Sequence, residues 1–167
     1  MWMTDCKKCN LWKTRIKMVP GRGSIPADLL IIGEAPGQSE NVTGKAFVGR
    51  SGKLLDIMLK TCGMEKNYYI INTVLCRPCD SKLGPNRQPS QEEVLKCAPN
   101  VMSIIKKVNP YIVVLAGEIA KECFGKEFPG AYRIHHPSFL LRTGGIYSPY
   151  WLQNIITLQE AVHALQN

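Results

Sequence analysis

The sequence predicts an α/β fold, a three-layer α/β/α sandwich around a parallel sheet. Three observations support this fold class. Short apolar runs typical of buried strands alternate with segments whose apolar residues recur at helical spacing. The runs at 28–33 and 111–116 are apolar almost throughout, as strands are when helices cover both faces of a parallel sheet. A glycine-rich segment follows the first run, which is where α/β folds place ligands.

Four strands are predicted in chain order, at 28–33, 68–75, 111–116 and 132–135. The second is rich in aromatic and β-branched residues, which favour strands. It contains Asn72, an amide that must find partners if the strand is buried. A backbone group of a neighbouring loop could satisfy this amide, or a ligand could.

Helices are predicted between and after the strands. Ser51 is a plausible N-cap for a helix over 51–60, and Ser90 with Glu93 forms a capping box at the start of another. We expect that second helix to break near Pro99. Further helices are expected from Gly117 onward and over 150–165, while 33–50 and 138–142 read as loops.

Length and charge limit the possible functions. The 167 residues fit a single domain spanning 1–167, which we expect to be a monomer. No apolar run is long enough for a membrane helix, and the first residues lack the apolar core of a signal peptide, so we expect a cytoplasmic protein. The net charge of +8 favours a polyanionic partner, although a soluble protein can also be basic without one.

Seven cysteines are many for a reducing compartment, where disulfides are rare. Cys6 and Cys9 form a C-x-x-C pair, and Cys76 and Cys79 form a second. Thiolates at this spacing can reach one metal ion or one iron–sulfur cluster. The sequence therefore predicts a metal or cluster site that joins distant parts of the chain.

The glycine-rich segment at 33–55 contains glycines at 33, 37, 44, 49 and 52. It is not a nucleotide-phosphate loop of the G-x-x-x-x-G-K-[ST] type, because Leu54 follows Gly52-Lys53. It also lacks the G-x-G-x-x-G of a dinucleotide site in the required register. Its glycines would let the backbone approach a different ligand closely.

This segment resembles the first motif of the family 4, iron–sulfur uracil-DNA glycosylases: G-E-A-P-G-x-x-E at 33–40, G-x-x-F-V-G at 44–49 and S-G-K-L-L at 51–55. Further motifs of that family follow in order. They are C-x-x-C at 6–9, N-x-x-x-C-R-P at 72–78, N-R-x-P at 86–89, a later single cysteine, G-E-x-A at 117–120, and H-P-S at 136–138 followed by L-L-R. The resemblance implies a central four-stranded parallel sheet.

The resemblance also implies a [4Fe-4S] cluster held by Cys6, Cys9, Cys76 and Cys97. The sequence departs from the family pattern after C-R-P, because 79–84 lengthens the loop before N-R-x-P. Cys79 is therefore a rival to Cys76. A four-cysteine zinc site is the alternative to the cluster. Cys62 and Cys123 match no motif and are expected to be small buried residues.

The resemblance implies that the protein is a DNA-repair glycosylase, which flips uracil out of DNA and hydrolyses its N-glycosidic bond. In this reading Phe47 stacks on the base and Asn72 reads its edge. Glu40 matches the family's position for blocking the C5 methyl of thymine. Gly33 and Gly37 complete the substrate-binding set.

The catalytic residues implied by the resemblance are His136, Glu34 and Asn72. H-P-S selects His136 over His135 as the donor to uracil O2, where fixed donors stabilise the leaving anion. Glu34 would activate or orient the water, with Asn72 sharing that task. Ala35 stands where better-known relatives have an aspartate, so Glu34 is the only carboxylate of the motif directly after the strand.

Leu140 or Leu141 would enter the minor groove in place of the flipped base. The residues expected to hold DNA phosphates are Arg50, Lys53 and Arg142. Two alternatives stay open: a catalytically silent DNA-binding relative, and a glycosylase for another altered base or one that forms a covalent adduct. Retention of Glu34, Phe47, Asn72 and His136 argues against the silent relative. The lack of an inserted basic loop after the first motif argues against the covalent type.

Overall fold

The computed structural model describes residues 5–166 and places a sheet between two layers of helices. Four parallel strands form most of the sheet: β2 (Leu29–Gly33), β3 (Tyr68–Asn72), β4 (Ile112–Ala116) and β5 (Tyr132–Ile134). β2 lies between β3 and β4, and β5 pairs with β4. The predicted three-layer α/β fold and its four parallel strands are confirmed.

The sheet has five strands, not four, because the two-residue strand β1 (Arg22–Gly23) pairs antiparallel with β3 at its edge. The sequence around 20–23 reads as a turn, and a strand this short gives no periodicity to detect. Gly23 permits the pairing. Its φ is +128°, and a Cβ there would overlap the carbonyl oxygen of Tyr68.

Two apolar cores lie on opposite faces of the sheet. Leu29 and Ile31 of β2 face the layer formed by the helices α2 (Arg50–Thr61), α5 (Pro137–Arg142) and α6 (Trp151–His163). Leu30 and Ile32 face α3 (Gln91–Val108) and α4 (Glu118–Phe124). All four β2 side chains are fully buried, as the continuous apolar run predicts for a central parallel strand.

Four helical features differ from the sequence predictions. The N-cap of α2 is Gly49 and not Ser51, since the helix begins at Arg50. α1 (Gln38–Thr43) and α5 occupy segments that read as loops, and α3 continues through Pro99 without a break. Pro99 lies on the exposed face of α3, as does Leu95, whose carbonyl has lost its N–H partner. Water can solvate that carbonyl, so the helix tolerates the proline.

The segments that follow β2, β3 and β5 meet at the carboxyl end of the sheet, where the chain order reverses around β2. Ligands bind at this position in open α/β sheets. Among the helices in the described range 5–166, none has the length and apolarity needed to cross a membrane.

Candidate functional site

A pocket lies at the carboxyl end of the sheet and brings together most of the predicted substrate residues. Its walls come from the segments after β2 and β5, the end of β3 and the loop before α3. The lining residues are Glu34, Ala35, Pro36, Gly37, Glu40, Phe47, Ser51, Asn72, Asn86, Arg87, His136 and Ser138. Six predicted residues are therefore neighbours in space although they span a hundred positions of sequence.

Asn72, the last residue of β3, is 1% exposed, and neither its amide nitrogen nor its amide oxygen has a hydrogen-bond partner. Within the described chain these are the only buried side-chain polar atoms in that condition. An unpartnered buried amide costs about 1–3 kcal/mol. The amide therefore lies ready for a ligand that supplies both an acceptor and a donor.

Phe47 lies beside this amide in a left-handed conformation, with φ of 52°. Its ring centroid is 5.7 Å from that of His136, and the two rings are tilted by 38°. Gly33 does not line the pocket, but a Cβ at this position would collide with the Phe47 ring and lie 2.8 Å from Asn72 Oδ1. Gly33 therefore contributes by leaving room for both side chains.

Glu40 fixes the shape of the glycine-rich segment. Its buried carboxylate accepts hydrogen bonds from the backbone N–H groups of Gly37 (3.1 Å), Val48 (2.8 Å) and Gly49 (2.7 Å). A carboxylate held by three N–H groups has little freedom to turn toward a substrate. Glu40 forms a rigid part of the pocket wall and holds the backbone on either side of Phe47.

His136 is the N-cap of α5, with Pro137 at the first helical position. Its Nδ1 accepts the backbone N–H of Ser138 at 3.1 Å, which leaves the ring proton of the neutral form on Nε2. Burial, with a smaller effect of the Arg142 charge, lowers the pKa of His136 to about 4. The imidazole is thus a neutral donor at physiological pH.

Glu34 immediately follows β2 and is half-buried in the pocket wall. Burial raises the pKa of its carboxyl above the usual range, and the charge of Arg142 partly opposes this shift. A raised pKa is typical of carboxyl groups that exchange protons near neutral pH.

A second cavity, next to α3, is lined by the four cysteines predicted to bind the cluster: Cys6, Cys9, Cys76 and Cys97. Cys79 does not line it. The Cys79 thiol instead donates to the carbonyl of Arg77 at 3.8 Å and lies on a different pocket. The geometry therefore groups Cys76 with the C-x-x-C pair and Cys97, and it leaves Cys79 out.

Three N–H donors contact these sulfurs at 3.3 Å each: Arg15 Nη1 on Cys76, Asn100 Nδ2 on Cys6 and the Leu75 backbone N–H on Cys97. Burial raises the pKa of the Cys97 thiol to about 12 and also raises those of Cys9 and Cys76. Such thiols ionise only when a strong positive charge, such as a metal, replaces the proton.

The four cysteines line one cavity together. Over residues 5–166, no three Cys, His, Asp or Glu side chains lie close enough together to hold a single metal ion. Thiolates on one zinc ion would each have to lie about 2.3 Å from it. Four thiols around one space are a donor set that an iron–sulfur cluster or a zinc ion can use.

Comparison with known proteins agrees with this geometry. The sequence profile described as "Uracil DNA glycosylase superfamily" matches residues 20–157. The chain belongs to this superfamily. Curated relatives named type-4 uracil-DNA glycosylase include that of Thermotoga maritima, which is 34% identical over 155 residues, with 82% of this chain and 78% of the relative covered. The predicted family 4 resemblance is thereby confirmed.

The relative from Saccharolobus solfataricus is 40% identical over 114 residues, with 67% of this chain and 50% of the relative covered. The one from Archaeoglobus fulgidus is 39% identical over 119 residues, with 71% and 57% covered. The chain thus spans about half the length of these two curated relatives.

Six lining residues of this glycosylase-superfamily pocket were not predicted as site residues: Ala35, Pro36, Ser51, Asn86, Arg87 and Ser138. Asn86 accepts a bond from the buried Arg77 through its Oδ1 at 2.5 Å, which leaves its NH₂ group available at the pocket. Asn86 and Arg87 belong to the N-R-x-P motif, which could have marked them as site residues. The sequence alone did not indicate what either side chain does.

The predicted DNA-binding residues lie outside the pocket. The side chains of Arg50, Lys53 and Arg142 are exposed, as phosphate contacts require. Leu141 is half-buried, whereas Leu140 has 0% exposure within the core beneath α5. The prediction of Leu140 as a DNA contact does not fit this structure, because the helical turn of α5 directs its side chain inward.

Proposed function

We propose that this glycosylase-superfamily chain flips uracil out of DNA and hydrolyses its N-glycosidic bond, leaving an abasic site. The observation that supports this most directly is the buried, unpartnered amide of Asn72 beside the Phe47 ring. A ligand that satisfies this site must be flat and carry a donor next to an acceptor. Uracil meets both requirements with N3–H and O4.

Discrimination against cytosine follows from the same amide. Asn72 donates to uracil O4 and accepts from N3–H, whereas cytosine presents a donor and an acceptor in the reverse order. Cytosine would leave both buried groups unpaired, and mismatches of this kind give strong rejection. Thymine differs by its C5 methyl, and the Glu40 wall, held by three backbone N–H groups, is too rigid to move aside for it.

Bond cleavage places negative charge on the departing uracil. The neutral His136 ring offers Nε2–H to uracil O2, while the Ser138 N–H on Nδ1 keeps the ring in that orientation. A fixed donor facing the developing charge contributes most when it does not have to reorganise. Because burial lowers the pKa of His136 to about 4, the ring stays neutral through this step.

The attacking water needs a position near the sugar carbon C1′. Glu34 lies in the pocket wall with a carboxyl whose pKa burial raises, and it can accept a proton from that water or orient it. The Asn86 NH₂ group, held by Arg77, is a second group able to hold the water. This assignment moves the positioning task from Asn72, whose amide is used by the base, to Asn86.

DNA would reach the pocket across a basic rim. Arg50, Lys53 and Arg142 hold phosphates in this proposal, and Leu141 remains the candidate for the wedge on α5. These contacts position the strand and carry no information about the base.

We further propose that Cys6, Cys9, Cys76 and Cys97 hold a [4Fe-4S] cluster. Support comes from the four thiols around one cavity and from the resemblance of the chain to the iron–sulfur family of uracil-DNA glycosylases. When bound, the cluster would cross-link the N-terminal segment, the end of β3 and α3 through iron–sulfur bonds. Buried thiols with raised pKa values would exchange their protons for iron on binding.

The test of the activity is base release from a labelled single-stranded oligonucleotide with one uracil, followed by alkali cleavage at the abasic site. Matched oligonucleotides with cytosine or thymine at that position are the controls. We expect cleavage of the uracil strand alone. Equal cleavage of the thymine strand would contradict the role of Glu40, and no cleavage of any strand would contradict the activity.

A further inference from the structure

Leu83 is 97% exposed, more than any other large apolar side chain among residues 5–166. It lies in a tight turn at 81–84 that is closed by a bond from the Gly84 N–H to the Ser81 carbonyl at 3.1 Å. The turn belongs to the segment 79–84 that lengthens the loop after β3. A single exposed leucine is common on protein surfaces, so its surroundings must decide what it does.

The buried side chain of Arg77 holds this turn in place through hydrogen bonds. Its side chain is 2% exposed, and its guanidinium donates to the carbonyls of Lys82 (3.3 Å) and Gly84 (2.5 Å), which flank Leu83 on both sides. Arginine stays charged in proteins, so burying it on carbonyl oxygens is costly. The contacts fix the backbone of Leu83, so its side chain is presented to solvent from a rigid turn.

The same guanidinium also fixes a wall of the uracil pocket, because its Nε donates to Asn86 Oδ1 at 2.5 Å. Asn86 and Arg87 both line that pocket. Since one planar guanidinium contacts all three acceptors, the turn and the pocket wall form one unit. Leu83 therefore stands near the pocket rim, on the loop before α3, whereas Ser138 and Leu141 belong to α5.

The charges around the turn suit a polyanion. Lys82 is exposed next to Leu83. The nearby Asp80 carboxylate is paired with Arg87 at 2.8 Å, and Arg87 is also paired with Glu93 at 2.7 Å. With Arg77 and Lys82 included, the three cations around the turn outnumber these two carboxylates by one. Leu83 thus presents an apolar side chain next to the ammonium group of Lys82. An apolar side chain can insert between bases while a neighbouring cation binds a phosphate.

We propose that Leu83 inserts into duplex DNA beside the flipped nucleotide and that Lys82 contacts the adjoining phosphate. This inference rests on the proposed uracil-excising function and adds a second, independent insertion point to that function. The insertion replaces stacking that the neighbouring base pair loses when the uracil leaves the helix. Single-stranded DNA has no such pair, so Leu83 matters for duplex substrates and not for single strands.

The test compares the parent protein with Leu83→Ala on one uracil sequence, presented as a duplex and as a single strand. We expect Leu83→Ala to lower kcat/KM on the duplex by about tenfold and to leave the single strand within about twofold, since the wedge replaces only duplex stacking. Leu83→Phe should restore duplex activity. Tyr111→Ala is the matched control, because Tyr111 is 85% exposed but precedes β4 at the opposite end of the sheet.

A second measurement does not need turnover. A duplex carries 2′-fluoro-2′-deoxyuridine, which resists hydrolysis, next to 2-aminopurine, whose fluorescence rises when it unstacks. The parent should raise the fluorescence, and Leu83→Ala should reduce that rise at saturating protein. Equal losses on both strand forms, or a Leu83→Ala protein that matches the parent in rate and fluorescence, would overturn the inference. Failure of the parent to release uracil from the single strand would instead contradict the proposed function.

Discussion

The pocket at the carboxyl end of the sheet and the cysteine cavity both use residues from the β3–α3 part of the chain, and they differ in how their polar atoms are paired. In the pocket, the Glu40 carboxylate accepts three backbone N–H groups, while the side-chain amide of Asn72 has no partner. In the cysteine cavity, by contrast, atoms that would bind a metal group already have hydrogen-bond partners. The sulfurs of Cys6, Cys76 and Cys97 already accept N–H donors.

This difference separates a site for a transient ligand from one for a permanent group. An unpartnered buried amide suits a ligand that arrives and leaves, such as the proposed base, because each binding event supplies the hydrogen bonds that the empty site lacks. Thiols with raised pKa values and N–H donors in place suit a group that stays and carries negative charge on its sulfurs. Substitutions in the two regions should therefore affect different measurements.

The largest effect is expected from Cys97→Ala. Removing one of four thiols should abolish the brown colour of the anaerobically purified protein. It should also lower the midpoint of thermal unfolding by about 10 °C or more, since each kcal/mol corresponds to about 2–4 °C at this size. Visible absorbance, iron content and differential scanning calorimetry measure these changes.

Two cysteine controls accompany that variant. Cys123→Ala, which alters a half-buried thiol on α4, should keep the colour and the unfolding midpoint. Cys79→Ala should also keep the colour, because Cys79 does not line the cavity of the other four. A colourless parent protein with one zinc ion per chain would show that the site holds zinc.

Asn72→Asp should have the second-largest effect and should act on the pocket alone. The substitution keeps the size of the side chain but replaces the donor to uracil O4 with an acceptor. We expect uracil release to fall by about 10³-fold and a trace of cytosine release to appear, because unpaired buried polar groups give strong discrimination. Asn72→Ala should lower uracil release without any gain on cytosine.

Base release is measured on matched single strands, which removes the difference in unpairing cost. The iron content of Asn72→Asp should equal that of the parent, which separates the pocket from the cysteine cavity. If Asn72→Asp prefers uracil as strongly as the parent does, Asn72 does not read the base edge.

The sequence predicted the parts of the fold that depend on long apolar patterns. Strands β2 to β5 and the three-layer arrangement follow from alternation of buried runs and amphipathic helices. The strand β1 could not be predicted, since two residues at a sheet edge have no period. α5 was not predicted although Pro137 follows the N-cap His136, because a helix of six residues is too short to show a helical period.

The site was predictable where one residue carries one role in a motif, as with Phe47, Asn72 and His136. It was not predictable where a role depends on what a neighbour does. Leu140 is buried because it lies on the side of α5 that faces the core. The Glu40 carboxylate binds backbone N–H groups, and the sequence pattern does not reveal those hydrogen bonds. The contact between Arg77 and Asn86 likewise depends on how the loop folds over the guanidinium.

A smaller effect is expected from Phe47→Ala, which removes the stacking surface. Uracil turnover should fall by about 10- to 100-fold, since base–aromatic stacking contributes about 1–3 kcal/mol. Binding to undamaged DNA and its dependence on salt should not change, because phosphate contacts govern both. The ring is also part of the core, so circular dichroism must first show that the variant is folded at the assay temperature. A parallel loss of binding and turnover would contradict the stacking role, and Phe47→Tyr should retain most of the activity.

The smallest effect concerns pH and comes from His136. Its pKa in the folded chain is lowered to about 4 by burial, while in the unfolded chain it is about 6.5. Between these values the unfolded chain binds a proton that the folded chain does not, so the free energy of unfolding falls as pH drops from about 6.5 to about 4. Above pH 6.5 His136 adds no pH dependence.

Denaturant unfolding at pH 7 and pH 4.5 should show the parent losing about 2–3 kcal/mol more than His136→Gln does. The raised pKa of Glu34 acts in the opposite sense, since a buried carboxyl favours low pH, so both proteins are compared in a Glu34→Gln background. If the free energy of unfolding depends on pH equally with and without His136, the ring is not held neutral. The proposed donor role of Nε2–H would then lose its basis.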